Sequence, residues 1–257
     1  MFLVSFIGKI TLNMLSETGR SAIFLFNTLS NGFTRPFYFK AVFIQIIRIG
    51  YNSLPVIGLT AFFTGGALAL QIYVGSSRFN AESMVASIVA LGITRELGPV
   101  IAGLMLAGRV SASIAAEIAT MRVTEQIDAL ITLSTNPFKY LIFPRLIAAI
   151  ITLPILVFIA DIIGIMGGYV VGTMSLGFVS ESYIQNTVNI IENKDFISGI
   201  VKAAIFGFIV AFMGCYNGYH STGGAQGVGQ ATTRAVVSAS IFILAANYLL
   251  TSLVFTQ

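Results

Sequence analysis

The run Ile93-Thr94-Arg95-Glu96-Leu97-Gly98-Pro99-Val100 sets a cation, an anion and a helix breaker side by side in an otherwise apolar stretch. An ionisable side chain at the centre of a bilayer costs on the order of 2.5–3.5 kcal/mol even on insertion scales, so such charges must face protein, water or a polar ligand. Neighbours on a regular helix point about 100° apart. Arg95 and Glu96 therefore cannot pair face to face, and each needs its own partner or a break in the helix. Pro99 removes a backbone donor, and the carbonyl it frees is tolerated at membrane depth only beside protein or a cavity. The chemistry open to these residues is recognition of a charged or polar group, as a constriction or substrate site. The alternative is a structural ion-pair network.

Asp161 and Lys202 also interrupt apolar runs. Lys202 stands near a predicted span end, from where its long side chain could snorkel to the interface. Asp161 is too short for that and is expected to cap or pair within a bundle. Cys215 is the single cysteine and His220 the single histidine, which excludes an internal disulfide and a Cys/His metal cluster within one chain. No cofactor is expected. The stretch Gly223-Gly224-Ala225-Gln226-Gly227-Val228-Gly229 has neither the G-x-x-x-x-G-K-[ST] spacing nor a preceding soluble strand, and reads as a flexible turn. With no Walker A loop, the chain is not expected to be an enzyme, and any ATP hydrolysis falls to a partner.

The elements that must position these residues are membrane helices. Of 257 residues, 56% are hydrophobic and 9% charged, whereas soluble domains carry about 25% charged residues. Too few charges remain to cover a water-facing surface. The fold class is all-α and polytopic, with five predicted spans at about Asn52–Val74, Ser83–Ala107, Leu146–Met174, Gly199–Tyr216 and Ala235–Phe255. Glycines at 65–66, 103, 108, 164, 167–168 and 172 suit close helix packing in lipid. The net charge of +4 is scattered over 14 Lys and Arg without a basic run, so nucleic acid is not an expected partner.

With the N-terminus cytoplasmic, Lys9, Arg20, Arg35, Lys40, Arg48, Arg109, Arg122, Lys139, Arg145 and Arg234 fall inside, and only Arg78 and Lys194 lie in outside loops. That imbalance predicts an N-in, C-out orientation. No basic region precedes the first apolar residues and no cleavage site follows them, so no cleavable signal peptide is expected. Residues 1–50 mix Phe2, Phe6, Ile10, Phe24, Phe26 and Phe43 with Lys and Arg, as expected of a segment lying along the cytoplasmic interface ahead of a 52–255 bundle. No internal repeat marks the chain, and 1–257 reads as one domain.

One cytoplasmic loop stands apart. From Glu117 to Arg145 it carries Glu117, Arg122, Glu125 and Asp128 around Ile127, Leu130, Ile131 and Leu133. Ile127, Leu130, Ile131 and Ser134 follow the i, i+3, i+4, i+7 spacing of a short amphipathic helix closed by Asn136-Pro137. Such a helix between two spans is a natural docking surface, and otherwise it lies on the membrane.

Arg95-Glu96-Leu97-Gly98-Pro99-Val100, Ala107-Gly108-Arg109, Ala116-Glu117-Ile118, Met121-Arg122, Thr124-Glu125-Gln126, Pro144-Arg145, Asn217-Gly218-Tyr219 and Ala231-Thr232-Thr233-Arg234-Ala235-Val236-Val237 together resemble the MlaE-type ABC permeases, a family related to a plastid lipid permease. The resemblance runs from about residue 20 to the last span. It implies a homodimer of five-span subunits, each with an N-terminal interfacial helix, working with two copies of a cytosolic ABC ATPase in a bacterial inner membrane. It also implies phospholipid as cargo between inner and outer membranes, with an MCE-type lipid-binding partner in the periplasm. By the same resemblance, residues 118–134 would couple to the ATPase through Glu117, Arg122, Glu125 and Asp128, and Arg95, Glu96 and Lys202 would line or support the lipid pocket. One departure is Asn247 in Ala246-Asn247-Tyr248, where some members carry an acidic residue, so no charge pairing is carried over to it. The function of another class that the residues allow is a secondary transporter or ion channel working through Arg95, Glu96, Asp161 and Lys202. The missing repeat speaks against it.

Overall fold

The computed structural model describes residues 2–32, 34 and 37–255, and the described residues contain helices and no strand. Arg35 lies outside them, as do the side chains of Phe2, Phe6, Lys9 and Ile10. Five helical stretches are long and apolar enough to cross a membrane: Phe39–Phe79, Glu82–Val123, Phe138–Met174, Asn193–Tyr219 and Gly224–Leu253. All five predicted spans lie within them or nearly so, but the helices extend well beyond the apolar cores. Hydropathy marks the hydrocarbon, whereas backbone hydrogen bonding carries a helix on through the headgroup layer.

The first stretch joins α2 (Phe39–Gly50) to α3 (Leu54–Ser76) through one tight turn at Tyr51–Ser53. The second joins α4 (Val85–Gly92), α5 (Gly98–Leu106) and α6 (Ala112–Val123) through two π-helical turns, Ile93–Leu97 and Ala107–Ser111. After the short α7 (Gln126–Thr132), a third π turn at Phe138–Ile142 leads into α8 (Phe143–Met174). Helix α9 (Ser180–Ile190) separates α8 from α10 (Asn193–Tyr219), and α11 (Gly224–Phe255) ends the described chain. The Gly223–Gly229 stretch is thus no flexible turn: all but Gly223 belongs to the opening turns of α11, and the turn is confined to 220–223. Glu117 and Arg122 likewise lie on α6 and not in a loop.

Helix α8 is the hub, packing against α2, α3 and α10, while α10 also packs on α6 and α11. The α3–α8 contact is backbone on backbone, since a Cβ added at Gly65 would fall on the Gly164 carbonyl and one at Gly167 on the Phe62 carbonyl. Close approach of this kind replaces the hydrophobic drive that lipid removes. Gly108 has nothing within 4 Å of an added Cβ, so close packing does not explain it. Helix α9 is pinned by Tyr183, whose ring fills the notch at Gly172 and whose phenol burial pushes up to about 12. At the other end of the bundle α1 (Phe2–Gly32) docks through buried Phe24, which meets Phe138, Phe212, Tyr216 and Tyr219 at 5.3–5.8 Å between ring centroids.

Candidate functional site

The π turn at Ile93–Leu97 is where the sequence placed its charges, and it presents each to a separate partner. Arg95 Nε donates to Asp195 Oδ1 at 2.6 Å. Lys202 Nζ donates to Glu96 Oε1 at 2.8 Å, to Thr251 Oγ1 at 2.8 Å and to the Arg95 carbonyl at 2.9 Å. A regular helix would pair the Arg95 carbonyl with the N–H of residue 99, and residue 99 is proline. The Lys202 ammonium thus occupies the acceptor that Pro99 leaves open. Thr251 Oγ1 donates to Glu96 Oε1 and Asn247 Nδ2 to Glu96 Oε2, both at 2.8 Å.

Lys202 does not snorkel. It is the largest fully buried side chain of the described chain, with 1% of its surface exposed, and stands nine residues into α10. At 1.5 Å of rise per residue that is about 14 Å below the helix start. Burying an ammonium there is tolerable because three acceptors surround it, one of them a carboxylate. Asp195 is equally buried, at the third position of α10, where its Oδ2 also accepts the Glu192 N–H at 3.1 Å as part of a capping box. The charges of this network sum to zero: Arg95 and Lys202 against Asp195 and Glu96.

The arrangement is closed on one side and open on the other. Arg95 keeps 35% and Glu96 37% of its side-chain surface exposed, while their partners are buried. Asn247 Oδ1 has no hydrogen-bond partner. The part-exposed guanidinium and carboxylate form a patch able to meet a zwitterionic or polar headgroup, with the Asn247 oxygen buried behind them.

Asp161 lies outside this network. Its Oδ1 is buried without a hydrogen-bond partner and fills the space where a Cβ on Gly98 would sit. The pairing within the bundle expected of Asp161 is therefore absent among the described residues.

A second ionic cluster lies toward the other end of the Glu82–Val123 stretch. Glu117 Oε2 accepts from Arg48 Nη1 and Arg145 Nη2, both at 3.1 Å, tying α2, α6 and α8 together. Arg145 is buried and also donates to the Leu141 carbonyl. Glu117, expected on the docking loop, is thus a helix clamp. Arg109 donates to Ser53. Arg122 does face the docking loop, pairing with Asp128 at 2.7 Å, and its guanidinium lies 5.9 Å from the Tyr219 ring centre. Glu125 takes left-handed backbone at the junction of α6 and α7, with φ 58°.

Sequence reasoning missed Asp195 and Thr251. Asp195 fell outside the predicted fourth span, yet it shares a helix face with Lys202 seven residues on, and Thr251 stands one turn after Asn247. Those spacings were the available signal.

Compared with known protein families, residues 42–253 match the one described as Permease MlaE. A probable ABC transporter permease protein of Rickettsia felis is 57% identical over 249 residues, covering 97% of this chain and 96% of that protein. A probable ABC transporter permease protein of Synechocystis is 37% identical over 211 residues, covering 82% and 80%. The intermembrane phospholipid transport system permease protein MlaE of Haemophilus influenzae is 35% identical over 255 residues, covering 98% and 97%. The motifs around the π turn therefore have a family context, and the chain belongs to the MlaE permease family, integral membrane permeases of ABC transporters.

Proposed function

We propose that this permease moves phospholipid between the inner and outer membranes of a bacterial envelope, with Arg95, Glu96 and Lys202 forming or supporting the headgroup end of its lipid site. The observation that carries this is the half-open network. Lys202 and Asp195 are buried and spent, whereas Arg95 and Glu96 remain partly uncovered at membrane depth, where an uncovered charge demands protein, water or a polar ligand. The name of the Haemophilus relative, an intermembrane phospholipid transport permease, points to the same cargo.

The rest of the assembly follows from that role. The chain is a single domain over 1–257, inserted in the inner membrane with its N-terminus cytoplasmic and its C-terminus periplasmic, and α1 lies along the cytoplasmic interface. Two copies form a homodimer. Its interface involves α11, whose most apolar stretch is only 11% buried, against 33–50% in the other four spans. Val237, Ile241, Leu244 and Tyr248 make an exposed stripe there at i, i+4, i+7 and i+11. A separate cytosolic ABC ATPase docks on α7, the coupling helix, beside Arg122, Glu125 and Asp128. An MCE-type lipid-binding protein receives or delivers cargo on the periplasmic side.

Reconstitution of the permease with its ATPase tests the proposal. Glu96→Gln keeps the shape and one accepting oxygen for Lys202 and Thr251 but removes the charge and the acceptor for Asn247, so ATP-driven transfer of labelled phospholipid is expected to fall about tenfold or more while the complex stays assembled. Unchanged transfer by that variant would remove Glu96 from the lipid site.

A further inference from the structure

We infer that the polar cavity at the start of α11 is a binding site for a phosphate-bearing anion, independent of the lipid site described above. The cavity, about 200 Å³, is bounded by the last turn of α10, the first three turns of α11 and the middle of α1, and its wall is mainly polar. Gly227, Gln230, Ala231 and Arg234 line it at i, i+3, i+4 and i+7, so one face of α11 looks into it.

Three independent features favour an anion there. The first is the helix end. Gly223 and Gly224 take φ of 93° and 64°, a region glycine enters freely. They let the chain turn straight into a 32-residue helix whose first intrahelical donor is Gly227, bonded to the Gly223 carbonyl. Gly227 brings this opening turn to the cavity wall, and the helix dipole favours negative charge at that end. The second is Ser221. It lines the cavity, is 7% exposed, and its Oγ is buried with no hydrogen-bond partner. A buried hydroxyl left unmatched is costly unless something occupies the site.

The third is charge. Arg20 and Arg234 both line the cavity with Glu17. Glu17 is already matched, by Arg20 at 2.9 Å and by the Tyr216 hydroxyl at 3.0 Å. Arg234 forms no ion pair among the described residues. A phosphate mono- or diester would give it a partner and accept from the Ser221 hydroxyl as well. The glycine run that fails as a nucleotide loop on spacing thus contributes Gly227 to the wall of this cavity.

Two sources share this chemistry, a lipid headgroup and a soluble phosphate, and the test separates them. The full chain is purified in a non-ionic detergent and delipidated. Phosphatidylglycerol retention is then read by native mass spectrometry, and inorganic phosphate binding by equilibrium dialysis. At least one probe is expected to bind, with affinity lowered about tenfold by Arg234→Gln, lowered less by Ser221→Ala, and raised by Glu17→Gln, which removes a like charge. Phosphatidylglycerol alone behaving this way assigns a headgroup, and phosphate alone assigns a soluble ligand. Glu17→Gln keeps the test decisive if the other variants fail to fold, because a gain in affinity cannot come from misfolding. The inference is overturned if neither probe binds, or if folded variants bind both as the parent does.

Discussion

The two ionic networks share only the Glu82–Val123 stretch, one tying it to α10 and α11 and the other to α2 and α8, and they obey different rules. The one at the Ile93–Leu97 π turn is electrically neutral, two cations against two anions, and its innermost members, Lys202 and Asp195, are fully buried. The one at Glu117 sets a single carboxylate between two arginines, Arg48 and Arg145, and keeps a surplus of positive charge with Arg48 largely exposed. Depth explains the contrast. Within the hydrocarbon every charge must be matched, whereas near a membrane face surplus Lys and Arg are tolerated and even favoured on the cytoplasmic side. The network that is fully matched inside yet open at one edge is the proposed recognition surface; the lopsided network between three helices is a clamp.

The largest expected effect breaks the buried half of the first network. Lys202→Met strands Glu96 and reopens the Arg95 carbonyl, at a cost of about 3–5 kcal/mol, measured as a lower melting temperature in detergent. The double variant Lys202→Met with Glu96→Gln removes both charges and is expected to recover part of that loss. No recovery would mean that Lys202 acts mainly through packing and its carbonyl bond. Next in size, Arg145→Met unties the clamp but leaves Glu117 its bond to Arg48, for about 2–3 kcal/mol. Arg48→Gln touches only an exposed pair and is expected to cost under about 1 kcal/mol. A loss there as large as that of Lys202→Met would erase the distinction between the networks.

The smallest effect on stability is expected at α7, the proposed docking helix. Asp128 pairs only across an exposed contact with Arg122, and Glu125 has no salt bridge among the described residues. Reversing both to Lys is expected to change stability by no more than about 0.5 kcal/mol while weakening co-purification of the ATPase. Normal assembly and ATP hydrolysis by that variant would move the coupling contact elsewhere.

Much of this was legible in the sequence, and the illegible part has a physical pattern. Five spans follow from hydropathy alone. The need for separate partners at Arg95 and Glu96 follows from helix geometry, and the carbonyl freed by Pro99 from covalent structure. What could not be read was which residue answers each need. Lys202 looked like an interfacial side chain because its position in the hydropathy profile is near a span edge, and only the packing of α10 between α5 and α11 buries it. Asp195 looked like a loop residue because hydropathy ends a span before its helix ends. Glu117 looked like a docking residue because the partners that claim it, Arg48 and Arg145, come from helices distant in sequence. Local pattern states the requirement, and tertiary contact supplies the partner.

The central claim is that the open edge of the neutral network meets phospholipid, and it is tested most directly by a photo-crosslinking residue at position 95 in the intact complex, with position 48 in the clamp as reference. The account predicts phospholipid adducts at 95 that rise or fall when nucleotide is added, and adducts at 48, if any form, that do not respond to nucleotide. Crosslinks at 95 to protein alone, unchanged by nucleotide, would contradict it and leave the first network as structural as the second.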